Sequence, residues 1–134
     1  AWRARLRGSV VEPIRVARPA AHPVRVVGSR SHRGDSLDGF LTRIGAHELV
    51  AMGSSLKFCV LAEGGADVYP RLGPTSEWDT AAAHAVVRGA GGQVVQLDGV
   101  ALEYNRRDTW LNPHFIAYAD PDRDWLGLLR GSGA

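Results

Sequence analysis

Apolar and basic residues alternate from Trp2 to Arg7: Trp2, Ala4 and Leu6 take one set of positions, Arg3, Arg5 and Arg7 the other. A period of two marks a half-buried strand. Gly8-Ser9 then reads as a turn into Val10-Val11 and Ile14-Arg15-Val16, so residues 2–16 are predicted to form a pair of strands. Pro19 and Pro23 make 17–23 a linker. Past it, the β-branched run from Val24 to Gly28 predicts a strand. Leu37, Phe40, Leu41 and Ile44 then recur at helical spacing and predict a helix over 35–44.

The same order repeats. Glu48 to Met52 reads as a strand, Gly53-Ser54 as a turn, and Ser55 to Glu63 as an apolar helix. Ala66 to Pro70 is a further strand and 71–77 a loop around Gly73-Pro74. An alanine-rich helix from Trp78 to Ala90 follows, stopped by Gly91-Gly92. Gln93 to Leu97 and Phe115 to Tyr118 are the last strands, joined by a long irregular excursion. The tail from Asp120 is weakly specified. Strands alternating with helices predict an α/β fold, a mixed sheet covered by helices.

Composition adds limits. With 134 residues, 45% apolar and 22% charged, the chain suits one globular domain. Its net charge of +2 is spread along the chain without a basic run, which argues for a solvated surface with mild attraction to phosphates and against nucleic acid as partner. Cys59, the single cysteine, lies in an apolar run and reads as a buried thiol in a reducing compartment. No apolar stretch nears the roughly 20 residues that span a bilayer, so a cytoplasmic protein is expected. The opening Ala1-Trp2-Arg3 lacks an initiator methionine and reads as the inside of a strand, so the chain is expected to be the later part of a longer protein.

The stretch Gly73-Pro74-Thr75-Ser76-Glu77-Trp78-Asp79-Thr80-Ala81-Ala82 is the richest in chemistry. Ser76 and Asp79 fit a capping box, in which a first-turn carboxylate is favoured by the helix dipole. The same carboxylate could serve as a hard oxygen ligand for a cation. Lys57 is the only lysine among 16 basic residues, and it follows Gly53-Ser54 in the first turn of a predicted helix. It is either a phosphate-binding ammonium or a snorkelling side chain on an amphipathic helix. His32 sits in a polar loop just past a strand end, where ligand crevices of open sheets form.

Trp78-Asp79-Thr80-Ala81-Ala82 before a small-residue helix and Gly-Gly resembles the second signature of the inositol monophosphatase superfamily. Three further stretches are Gly28-Ser29-Arg30-Ser31-His32, Gly53-Ser54-Ser55-Leu56-Lys57-Phe58 and Val68-Tyr69-Pro70-Arg71-Leu72-Gly73-Pro74-Thr75. They resemble the CysQ-type 3'(2'),5'-bisphosphate nucleotidases of that superfamily. The resemblance implies the C-terminal half of a layered α-β-α-β-α sandwich: 1–16 a strand pair belonging to an N-terminal part, 17–23 a linker, 24–119 the α/β domain and 120–134 a tail. It implies Mg2+ at Asp79, with Ser29, His32, Gly53 and Lys57 on the nucleotide and Arg71 on a second phosphate. The implied reaction removes the 3'-phosphate of adenosine 3',5'-bisphosphate, a step of sulfur metabolism.

Asp35-Ser36-Leu37-Asp38-Gly39 resembles the superfamily's first signature, but no buried strand precedes it and its proline and threonine are replaced. Asp35 is read as an N-cap and Asp38 as an exposed first-turn acid. The true motif and an upstream glutamate are expected before Trp2, and the chain alone is expected to have little or no activity. Competing readings are an inositol or sugar phosphate phosphatase and a non-catalytic nucleotide-binding half-domain. The expected partner of the exposed face is the N-terminal half or a second copy.

Overall fold

The computed structural model describes residues 1–4, 10–28 and 35–131. Strands β1 (Trp2–Ala4) and β2 (Val11–Pro13) form an antiparallel pair in which every residue is exposed. The turn predicted at Gly8-Ser9 lies outside the described residues. The remaining elements are β3 (Val24–Gly28), α1 (Asp35–Ile44), β4 (His47–Ala51), α2 (Leu56–Ala62), β5 (Val68–Arg71), α3 (Glu77–Gly89), β6 (Gln93–Gln96), β7 (Phe115–Tyr118) and α4 (Trp125–Arg130).

Five strands make one sheet in the order β4-β3-β5-β7-β6. The first three run parallel, and β7 and β6 are antiparallel to their neighbours, so the sheet is mixed, as the element pattern predicts. Alternating side chains feed two cores. Val27, Tyr69, Val94 and Phe115 face α2 and α3, whereas Val26, Val68, Val95 and Ile116 face α1 and α4. Burying each such side chain contributes roughly 1.5–3 kcal/mol.

Pro70 inside β5 has a simple explanation. The pairing recorded between β3 and β5 is Val26 with Val68, so Pro70 lies beyond that ladder, where its missing N–H costs nothing. Asp67, fully buried just before β5, accepts hydrogen bonds from the backbone N–H groups of Ala21 and Arg25 and from the Arg25 guanidinium, tying the linker to the sheet.

Two regions differ from the sequence reading. Cys59 is half-buried. The stretch read as a tail carries α4, which packs on α1 through a fully buried Trp125. Its signal is short, and only the partner helix gives those apolar residues a face to fill.

Candidate functional site

The parallel strands β3, β4 and β5 end on the same side of the sheet, where open α/β sheets form ligand crevices. There a cavity of about 340 Å³ opens between the β4–α2 turn, the end of β5 and the first turn of α3. Gly53, Lys57, Arg71 and Asp79 all line it. Four residues scattered over the sequence thus meet in one place. Ser29 and His32 lie outside the described residues, and Gly28, just before them, lines a neighbouring cavity.

At Gly53, which lines the cavity, an added Cβ would meet nothing within 4 Å. Ser54 follows with φ 55°, turning the chain sharply into α2. Lys57 is only 6% exposed and its ammonium stands 5.6 Å from the centre of the Tyr69 ring. Burial, aided by the positive Arg71, pushes the Lys57 ammonium below the ordinary lysine range. Among the described residues no carboxylate lies within ion-pairing distance of it. A buried stem with its ammonium at the cavity fits both the phosphate-binding and the snorkelling reading.

Arg71 donates from Nη2 to the Pro74 carbonyl at 3.2 Å, while its Nε is buried without a partner among the described residues. Phe58 and Tyr69 line the cavity and pack with the buried Phe115 in an aromatic triangle, ring centres 5.2 to 5.8 Å apart. Burial raises the Tyr69 hydroxyl, against the opposing pull of Arg71.

Asp79 is exposed in the first turn of α3 and accepts the Ser76 N–H through Oδ2 at 2.9 Å, so the capping box is real. Among the described residues Asp79 Oδ1 takes no hydrogen bond. A magnesium ion takes about six oxygens in octahedral array. Among the described residues no cluster of three or more His, Cys, Asp and Glu could hold a metal. The residues present therefore fit one corner of a magnesium site and not a whole one. Asp38 is exposed, as the sequence reading has it.

Sequence reasoning missed the support behind α3. The excursion between β6 and β7 runs along the first turns of the helix. The Glu77 carboxylate accepts the Asn105 N–H at 3.0 Å, the Glu77 N–H donates to the Trp110 carbonyl at 2.8 Å, and the Asn112 N–H donates to the Thr75 carbonyl at 2.8 Å. Deeper along α3, His84 and Tyr104 share a 2.9 Å hydrogen bond, and burial lowers the His84 imidazole. The turn signals in that excursion, Asp98-Gly99 and Asn112-Pro113, do not reveal a target 36 residues away. A second cavity, about 620 Å³, adjoins the first along Tyr69, Arg71 and Pro74 and is walled by Leu37, Leu72, Leu97 and His114.

Residues 2–127 match the model of the inositol monophosphatase family. The chain is 52% identical over 95 residues to the 3'(2'),5'-bisphosphate nucleotidase CysQ of Salmonella typhimurium, covering 71% of this chain and 39% of that protein. It is 45% identical over 121 residues to CysQ of Buchnera aphidicola, covering 89% and 44%. Among solved structures, CysQ from Bacteroides thetaiotaomicron superposes with a TM-score of 0.68 at 44% identity, over 80% of this chain and 40% of that one. The chain belongs to the inositol monophosphatase family. It is a homologue of the CysQ nucleotidases and spans about two-fifths of their length.

Proposed function

We propose that this chain is the phosphate-holding portion of a magnesium-dependent phosphatase that removes the 3'-phosphate of adenosine 3',5'-bisphosphate. One observation carries the reading: a single cavity joins the ammonium of Lys57 and the guanidinium of Arg71, neither paired with a carboxylate among the described residues, to the carboxylate of Asp79. Desolvated cations without a counter-ion favour an anion strongly. The 44–52% identity to CysQ proteins supports a bisphosphate nucleotide as that anion.

In this reading Lys57 acts as a point charge on one phosphate and Arg71, whose buried Nε lacks a partner, reaches the second. Ser29, His32 and Gly53 would complete the nucleotide contacts. Asp79 would hold a magnesium ion through Oδ1. Magnesium, when bound, would supply water activation and charge neutralisation at the phosphoryl group. Its remaining ligands would come from outside this chain, supplied by an N-terminal half, so the chain alone should hydrolyse little or nothing. A role in sulfur metabolism and a cytoplasmic setting follow from the same reading. Among the described residues no helix is long and apolar enough to cross a membrane.

The decisive assay compares phosphate release from adenosine 3',5'-bisphosphate and inositol 1-phosphate, with magnesium, by a full-length protein that carries this chain. Preference for the nucleotide supports the reading. Preference for inositol phosphate, or magnesium-independent turnover unaffected by Asp79→Asn, overturns it.

A further inference from the structure

Behind the cavity, the Asn112 side chain is buried against the start of α3. Its Nδ2 lies 3.1 Å from Thr75 Oγ1, 3.0 Å from the Ser76 carbonyl and 2.9 Å from Thr80 Oγ1. The Ser76 carbonyl can only accept, which turns the NH2 group toward α3; its two hydrogens are shared among the three oxygens, and Asn112 Oδ1 is left buried without a partner among the described residues. An amide NH2 accepts nothing, so neither threonine can spend its hydroxyl hydrogen on Asn112.

Thr80 has a local outlet for its hydrogen, the Glu77 carbonyl at 3.3 Å. For Thr75 no protein acceptor is recorded among the described residues, and Thr75 lines the cavity that holds Lys57 and Arg71. We infer that Thr75 is a phosphate-binding residue whose hydroxyl donates into the cavity, and that Asn112 is the positioning residue that turns it there. This rests on the reading of the cavity as a phosphate site and adds a neutral donor to its two cations.

The geometry is economical because the backbone is held by the same residue. The Asn112 N–H donates to the Thr75 carbonyl at 2.8 Å, so the Thr75 main chain and side chain are both referenced to the β6–β7 excursion rather than to the exposed Gly73-Pro74 loop alone. A hydroxyl whose oxygen already accepts a hydrogen bond is polarised as a donor, and a charged acceptor makes the contact stronger than a neutral one.

The test titrates this chain with inorganic phosphate and follows the Lys57 and Arg71 side-chain signals by NMR, with thermal melts run in parallel. Thr75→Val is nearly isosteric and should weaken phosphate binding roughly tenfold, the loss expected for one hydrogen bond to a charged group, with little change in melting temperature. Thr75→Ser should restore binding. Asn112→Ala should weaken it similarly, and the double variant should be no weaker than Thr75→Val, since both act through one hydroxyl. Wild-type affinity in Thr75→Val, with Lys57→Met abolishing binding, overturns the assignment of Thr75 and leaves the phosphate site standing. Additive losses in the double variant overturn the role of Asn112. A wild-type chain whose Lys57 and Arg71 signals ignore phosphate overturns the functional reading and this inference together.

Discussion

At the scale of single residues, Asp79 has one observed task and one proposed. Oδ2 caps α3 by accepting the Ser76 N–H, and Oδ1 would hold the cation in the proposed function. The two roles separate by substitution. Asp79→Asn keeps an oxygen for the cap and should change stability by less than about 0.5 kcal/mol, whereas Asp79→Ala should cost about 1 kcal/mol in chemical denaturation. Both should abolish the magnesium dependence of turnover in the full-length protein. Lys57 offers a pH signature. Its ammonium is held below the ordinary lysine range by burial and by Arg71. In the window between its lowered value and the ordinary one, the unfolded chain binds more protons than the folded chain, so stability rises with pH there. Lys57→Met should remove that rise, and over the same window phosphate affinity in the wild type should fall as the ammonium loses its proton. Denaturation and phosphate titration at several pH values check both. The capping half of Asp79 was legible in Ser76-x-x-Asp79, and the burial of Lys57 was not, because burial depends on Tyr69 and Arg71 arriving from another element.

At the scale of elements, the helices and strands of 24–96 appear close to where hydrophobic period and turn residues put them. Small shifts have local causes: α3 starts at Glu77 because Ser76 is its cap, and β5 extends to Arg71 because β7 pairs with it through Phe115. Helix α4 is the exception. Trp125 is 1% exposed, its Nε1 donates to the Asp120 carbonyl at 2.7 Å, and Arg123 stacks over its ring at 4.9 Å. Trp125→Ala should therefore cost about 3–5 kcal/mol in unfolding free energy, a loss no unstructured tail would produce. Asp120 contributes to the same corner. Hydrogen bonds from the Ala20 and Asp122 N–H groups hold its carboxyl below the usual range, so that contribution is present above the ordinary carboxylate value and is lost as pH falls through the lowered one.

At the scale of the whole molecule, several large apolar side chains stand in the open. Trp78 and Trp110 are 70% and 65% exposed with ring centres 6.4 Å apart, Leu111 sits beside Trp110 in the chain, and the β1–β2 pair exposes Trp2 and Val11. Such surface favours association. The chain should sediment with a concentration-dependent apparent mass, and the double variant Trp78→Ser, Trp110→Ser should reduce it without lowering stability by more than about 1 kcal/mol. The amino-acid sequence by itself determined the alternation of strands and helices, the cap at Ser76 and the four motifs that mark the family, because each is carried by neighbours in the chain or by residue types in fixed order. Only the tertiary structure decided that Gly53, Lys57, Arg71 and Asp79 share one cavity, that a lysine is largely buried there, and that Asn112 contacts Thr75 from behind. Those relations join residues tens of positions apart, and no local period or propensity encodes which distant backbone will supply the partner.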